Sequence, residues 1–278
     1  MSSDHGCGVC SWSLQATSPE DLAARVQACG LTAVQLALDP IRTGSWDFDR
    51  TVRVLADAGI RVLSGMMEMA GEDYSSLASI CATGGVRPDA TWSANRDAAA
   101  ANADIAARLG LNLVTFHAGF LPHDTDDPER ATMLDRLRAI VGIFDARGVR
   151  VGFETGQEAA PTLLEVLRDL DRPTAGVNFD PANMILYDMG DPVASARALS
   201  GRIVQVHVKD AVRTREPGTW GAEVRVGTGD VVWREFFAAL KDSGVSCDLV
   251  IEREAGDARV EDIRAAAEVV GSMWESRS

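Results

Sequence analysis

The chain has 278 residues, 46% of them hydrophobic, enough apolar content for a sizeable core. Lys and Arg number 27 against 41 Asp and Glu, and this net charge of −14 repels phosphate backbones, so nucleic-acid binding is not expected. Every apolar run falls short of the ~20 residues a membrane helix needs. The opening MSSDHGCGVC has no basic stretch leading into an apolar one, so the expected location is the cytoplasm, away from membranes.

In chain order, short apolar runs alternate with amphipathic segments of helical length. The strand-like runs are 8–14, 33–38, 61–68, 113–119, 150–156, 175–180, 203–210 and 247–254. The first helix is predicted over 18–30, with Ser18 as its cap, Pro19 in the first turn and Gly30 at its end. Helical spacing recurs over 47–59, 95–110, 127–148, 161–170, 191–200, 231–244 and 258–276. Eight strand–helix units in a chain of this size predict an α/β fold, a single (β/α)8 TIM barrel. A doubly wound sheet is the rival, but no G-x-G-x-x-G follows the first strand. No linker divides the chain, so one domain over 1–278 is expected, with residues 1–7 as a flexible N-terminal tail. The five cysteines, Cys7, Cys10, Cys29, Cys81 and Cys247, are odd in number and scattered, which argues for thiols rather than disulfides. Cys7 and Cys10 form a C-x-x-C without a second pair, at a strand start rather than a helix start, so a packing role is expected.

The ends of the later strands are unusual. VRVGF runs into Glu154, VNF into Asp180, VQV into His207 and LVI into Glu252. An ionised group away from water costs several kcal/mol unless it is paired or bound to a metal, so an apolar strand gains nothing from ending this way. Catalytic groups of such barrels stand at the C-terminal strand ends. Three carboxylates and one imidazole at equivalent depth suit one divalent cation, Mn²⁺ first, with Mg²⁺, Co²⁺ and Zn²⁺ as alternatives. Asp180 before Pro181 also reads as a helix cap, and His207 alone would read as a satisfied core histidine. The four together favour the metal.

FETGQE, VNFDPANM, VHVKD, VGTGDVVWREFF and LVIERE resemble the xylose isomerase-like barrel superfamily, in the sugar phosphate isomerase/epimerase branch that includes the ketose 3-epimerases. The resemblance covers essentially the whole chain. It implies that Glu154, Asp180, His207 and Glu252 bind the metal, and that Glu154 and Glu252 also move protons on opposite faces of a bound ketose through a cis-enediolate. It further implies substrate contacts from Arg213, six residues after the histidine, and from Glu158, at a shorter spacing than in the family. Asn183 stands where those epimerases carry a histidine. His117, Trp12 and Glu68 also end strands and are expected to wall the pocket. Lys209 and Asp210 are expected to pair with each other at the rim. The loop 212–229, with Trp220, is expected to close over substrate or form an oligomer contact, and Gly227 and Gly229 resemble a phosphate-cradling turn.

The expected function is metal-dependent isomerisation or epimerisation of a ketose, keto-sugar or cyclitol. The alternatives are β-elimination from a 3-keto-glycoside or dehydration of a keto-cyclitol on the same site. A sugar-binding barrel without catalysis and a nuclease like the apurinic/apyrimidinic endonucleases rank below these. The nuclease needs further histidines after strands three and six, where this chain has SGMMEMA and Asn183. A homodimer or homotetramer is expected by the same resemblance.

Overall fold

The computed structural model describes residues 5–216 and 218–274. Its strands are β1 (Cys7–Cys10), β2 (Ala33–Ala37), β3 (Arg61–Met66), β4 (Leu113–Phe116), β5 (Arg150–Glu154), β6 (Ala175–Phe179), β7 (Ile203–Val208), β8 (Asp210–Val212), β9 (Ala222–Val224) and β10 (Asp248–Ile251). The helices are α1 (Pro19–Ala28), α2 (Asp39–Arg42), α3 (Phe48–Asp57), α4 (Leu77–Thr83), α5 (Asp89–Arg108), α6 (Pro128–Asp145), α7 (Ala160–Leu170), α8 (Pro181–Leu186), α9 (Pro192–Leu199), α10 (Trp233–Asp242) and α11 (Arg259–Met273). Strands β1 to β7 and β10 close into one parallel barrel in the order β1-β10-β7-β6-β5-β4-β3-β2. This is the expected (β/α)8 architecture. Strands β8 and β9 add an antiparallel hairpin after β7.

Alternation along the strands sorts residues between two layers. Phe153 and Phe179 point out to the helical shell, where Phe153 meets Phe116 edge-on at 5.5 Å and Phe179 meets Phe236 of α10 at 5.5 Å. Each such buried ring contributes roughly 1.5–3 kcal/mol. Their neighbours point in, and register pairs Glu154 of β5 with Asn178 of β6 and His207 of β7 with Val250 of β10. Helix starts follow side-chain caps, Ser18 accepting from the Asp21 N–H and Asp47 from the Arg50 N–H. Gly59 and Gly148 follow α3 and α6 with φ of +67° and +71°, the left-handed turn that sends the chain back into a strand.

The strands are shorter than the apolar runs. The run at 8–14 leaves the sheet after Cys10 and coils into a 3-10 turn over Ser11–Leu14, which places Trp12 on the rim. Helix α5 begins six residues before the predicted start, and α2, α4, α8 and the β8–β9 hairpin were not anticipated. Residues 1–4 of the expected tail lie outside the described residues, and Cys7, the last of that tail, opens β1 and pairs with Leu249. Among the described residues, no helix is long and apolar enough to cross a membrane.

Candidate functional site

Four residues meet at the C-terminal rim. Glu154 is the last residue of β5, Asp180 follows β6, His207 lies near the end of β7 and Glu252 follows β10. All four are buried, and one ligand atom from each lies within 4.8 Å of the others. His207 Nδ1 is 3.4 Å from Glu154 Oε1 and 3.3 Å from Glu252 Oε2.

Local hydrogen bonding leaves the inward atoms free. Asp180 Oδ1 accepts from the N–H groups of Ala182 and Asn183 at 2.8 and 3.0 Å, capping α8. Its Oδ2 is buried without a hydrogen-bond partner. The cap and the ligand are therefore two oxygens of one carboxylate. Thr155 ties the two strand ends together, its Oγ1 accepting from the Asp180 N–H at 2.7 Å and donating to the Asp180 carbonyl at 3.0 Å. His207 is oriented from behind. Gln35 donates through Nε2 to Thr115 Oγ1 at 2.8 Å and to the Gly65 carbonyl at 3.4 Å, so its Oε1 faces His207 Nε2 at 2.7 Å. Asn178 Nδ2 also lies 3.0 Å from Nε2; in the neutral imidazole the Gln35 oxygen at 2.7 Å favours the proton on Nε2 and the lone pair on Nδ1. Nδ1 is also buried and unpartnered.

Charge completes the fit. Lys209 is buried, with Nζ 3.0 Å from Glu252 Oε2, 2.6 Å from Glu254 Oε2 and 3.9 Å from Asp180 Oδ2. Lys209 is shared between Glu252 and Glu254, so it only partly offsets the three carboxylates of the cluster, and a cation bound among them would relieve their repulsion. Burial pushes the Glu252 carboxyl up, but Lys209 and His207 outweigh it and hold it well below the usual range. Burial also pushes Glu154 up, and His117 and His207 reverse that. Asp180 is held well above the usual carboxylate range, burial being the main cause. Burial lowers His207, and Cys10, Glu154 and Glu252 more than reverse it. The orphaned Asp180 Oδ2 and His207 Nδ1, with two carboxylates beside them, fit a cation that accepts oxygen and nitrogen donors.

Gln35, Ser64, Asn178 and Gln205 lie in the barrel beneath this cluster and are fully buried. Ser64 donates to Gln205, Gln205 Nε2 to Asn178 Oδ1 at 3.2 Å, and Asn178 Nδ2 to Glu154 Oε2 at 3.3 Å. The sequence reading missed this layer, although its signal was present: Asn178 and Gln205 stand two residues before Asp180 and His207, on the same strand face. Partners that orient a ligating histidine typically carry ~10–100-fold of metal affinity. Gln35→Leu is therefore expected to weaken Mn²⁺ binding by about that factor in a calorimetric titration.

The other expected site residues divide. His117, just after β4, has Nε2 3.7 Å from Glu154 Oε1 and a buried, unpartnered Nδ1. Asn183 donates to Glu154 Oε1 at 2.9 Å, and Trp12 Nε1 to Glu252 Oε1 at 2.7 Å. One cavity of about 400 Å³ is walled by Trp12, Glu68, His117 and Glu252 among others. A second, of about 380 Å³, is walled by His117, Asn183, Tyr187, Lys209 and Trp220 among others. Glu158 and Arg213 are not among the lining residues of either. Glu158 is buried and accepts from the Leu121 N–H at 3.1 Å, while the Arg213 guanidinium is held by Asp188 and the Gly190 carbonyl. Lys209 and Asp210 do not pair, because successive residues of a strand face opposite ways. Asp210 Oδ2 accepts instead from the N–H groups of Gly227 and Gly229 at 2.8 and 3.1 Å and from Trp233 Nε1 at 3.0 Å. The turn that resembles a phosphate cradle is thus filled by the chain's own carboxylate. Cys10 is fully buried, its Sγ 3.7 Å from His207 Nε2.

Glu158 carries a stability prediction. Burial pushes its carboxyl up to about 8. A folded value above the unfolded one gives stability that is complete below the ordinary carboxylate range and lost as pH rises through the folded value. Glu158→Gln keeps the acceptor for Leu121 and cannot ionise. Its advantage over the wild type in urea unfolding is expected to grow by roughly 3–5 kcal/mol between about pH 4.5 and about pH 8. A difference that stays flat with pH would contradict the assignment.

A closed parallel barrel with three buried carboxylates and an imidazole converging at its C-terminal rim defines the class: an α/β barrel with a candidate metal centre. The chain belongs to the xylose isomerase-like TIM barrel family, whose family model matches residues 23–273. Among solved structures, a xylose isomerase domain protein from Planctomyces limnophilus is 28% identical, with a TM-score of 0.84 over 91% of this chain and 93% of its own. D-allulose 3-epimerase from Methylomonas sp., in complex with D-allulose, is 16% identical, with a TM-score of 0.73 over 97% of each chain. A probable 3-DHS dehydratase from Bacillus anthracis is 20% identical, with a TM-score of 0.71 over 96% of this chain and 98% of its own. No curated protein matches the sequence.

Proposed function

We propose that this chain is a divalent-metal-dependent isomerase or epimerase acting on a ketose, keto-sugar or cyclitol by proton transfer beside the carbonyl. The observation that carries the reading is the set of buried ligand atoms in which Asp180 Oδ2 and His207 Nδ1 have no hydrogen-bond partner. Glu154, Asp180, His207 and Glu252 would hold the cation, for which an oxygen-rich set with one imidazole favours Mn²⁺, with Mg²⁺, Co²⁺ and Zn²⁺ as alternatives. When bound, the cation supplies a Lewis acid that polarises the substrate carbonyl.

The remaining work falls to side chains. Glu154 and Glu252 come from strands separated in the barrel by β6 and β7, so they approach a substrate from two sides, as inversion of a carbon requires. Glu154 is held by the neutral amides of Asn178 and Asn183, which keeps it the better base. Glu252, fixed by the Lys209 ammonium and the Trp12 indole, is the weaker base and hence, once it has taken up a proton from solvent, the stronger acid; it gives that proton to the other face of the carbon, and Glu154 releases the one it took to solvent. His117, Asn183, Trp12 and Glu68 orient the hydroxyl groups and exclude water. The similarity to an epimerase solved with D-allulose agrees with this reading at the level of the fold.

One feature favours a second reading. His117 lines both cavities beside Glu154, and a proton donor additional to the base is what expulsion of a β-substituent needs. Product analysis separates the two. Mn²⁺-loaded protein is incubated with free ketoses, keto-cyclitols and 3-keto-glycosides and followed by NMR. A new diastereomer of one of them is expected. An enone, formed with loss of a β-substituent, would replace the epimerase with a lyase, and neither product from any compound would contradict both.

A further inference from the structure

The two cavities beside the ligand cluster share wall residues with a third depression that is largely open to solvent. It has a volume of about 520 Å³ and is lined by Tyr74, Trp220, Gly221, Glu223, Glu254 and Ala255. Tyr74 and Glu254 line all three cavities, and Trp220 and Glu223 line both the outer one and the one that reaches Asn183 and Lys209. Shared walls make one groove, leading from the cluster out past Tyr74. A single inner cavity already falls within the range of ~300–1,000 Å³ typical of small-molecule sites, so the outer one is room that a lone ring would leave empty.

The outer walls are suited to a particular occupant. Tyr74 is 46% exposed, one of few large side chains the chain leaves uncovered. Trp220 packs edge-on against Tyr187 at 4.8 Å, and Tyr187 against Phe120 at 5.5 Å, so the indole is propped from behind. The open ring of Tyr74 and the propped, half-buried indole of Trp220 offer apolar surface to a pyranose ring, while a carboxylate accepts its hydroxyl protons. Both Glu223 oxygens are taken, by Arg253 Nη1 at 2.8 Å and by the N–H groups of Glu254 and Ala255, so the half-exposed Glu254, held by Lys209 through Oε2, is the acceptor the groove offers. Arg253 is itself consumed, its Nε lying 2.9 Å from Asp262. Glu223 and Glu254 are paired with Arg253 and Lys209 behind the wall, and the lining residues offer no cation of their own for a phosphate or a uronate.

We infer that the substrate is a neutral glycoside of two rings, one at the ligand cluster and the second on the platform of Tyr74 and Trp220. The placement of the first ring rests on the proposed function, while the second ring rests on the groove.

The test is a calorimetric titration of Mn²⁺-loaded protein with matched pairs: maltose against methyl α-glucoside, cellobiose against methyl β-glucoside, and lactose against methyl β-galactoside. At least one disaccharide is expected to bind about ten-fold more tightly than its one-ring partner. That ratio should fall to near one in Tyr74→Ala and in Trp220→Ala, and Trp220→Phe should recover part of it. No gain in any pair, or a gain that survives both alanine substitutions, would overturn the inference. Glucose 1-phosphate should bind more weakly than methyl α-glucoside, and tighter binding would overturn the neutral character of the outer site. A ratio that behaves as expected in a protein that exchanges no substrate proton would fault the reaction class and leave the outer site standing.

Discussion

Glu154→Gln is expected to lower turnover by about 10²–10⁴-fold, the contribution of a positioned acid–base group, and Glu252→Gln to do so by a similar factor. Glutamine keeps the length and one carbonyl oxygen, so both variants should still fold and retain part of the metal affinity. Neither can accept a proton. The two should nevertheless differ in kind. At position 154 the loss falls on the group hydrogen-bonded to the amides of Asn178 and Asn183, with the imidazoles of His117 and His207 beside it. At position 252 it also strips Lys209 of one of its two close carboxylates. Breaking a buried ion pair from one side costs ~3–5 kcal/mol, so Glu252→Gln should unfold at lower urea than Glu154→Gln. Steady-state kinetics with the substrate found by product analysis, beside urea unfolding of both variants, checks this. Full activity in both would refute the assignment of these residues to proton transfer.

The second large effect is on the metal. His207→Ala is expected to weaken Mn²⁺ binding by more than the ~10–100-fold that loss of an outer partner such as Gln35 costs. Wild-type protein at a Mn²⁺ concentration about 100 times Kd should gain about 2.7 kcal/mol of stability, and the variant at the same concentration should gain almost none. Binding should also weaken as pH falls. Without the cation, burial keeps the Asp180 carboxyl well above its usual range, and the surrounding groups keep His207 protonated well above its own. Both must lose protons to become ligands, so a rise in pH favours the metal. Calorimetry in two buffers of different ionisation enthalpy would detect the released protons. A Mn²⁺ affinity equal in variant and wild type would show that the cluster is not the binding site.

Much of this was written in the chain at the level of period and strand end. Glu154, Asp180, His207 and Glu252 could be found because each breaks an apolar run where the run leaves the barrel, and all four meet. Lys209 was legible too, since a period of two puts it on the face of His207 and turns Asp210 away. Reading the two as neighbours in sequence, rather than by strand face, hid the ammonium that fixes Glu252. Glu158 and Arg213 were placed by spacing alone, and spacing in a loop does not determine direction: the chain after β5 turns Glu158 towards the Leu121 amide, and Asp188 captures Arg213. Trp220 lies on a loop whose path depends on its contact with Tyr187 and on the Asp210 cradle, and Tyr74 on one whose path is tied through Glu72 and Asp73 to the segment 79–85. No local pattern encodes such a path. The same holds for the strand limits, because a run such as GVCSWSL stays apolar after its hydrogen-bonding partner ends, and only the geometry of the neighbouring strand sets where pairing stops.

The most direct test of the account is deuterium wash-in. Protein stripped with EDTA and protein reloaded with Mn²⁺ are incubated side by side in D₂O with the ketose, keto-cyclitol and 3-keto-glycoside panel, and solvent deuterium is read at the carbons flanking the carbonyl. The account predicts exchange in the reloaded sample, little in the stripped one, and loss of exchange in Glu154→Gln. Equal exchange with and without metal, or none in a protein shown to hold Mn²⁺ at His207, would contradict it.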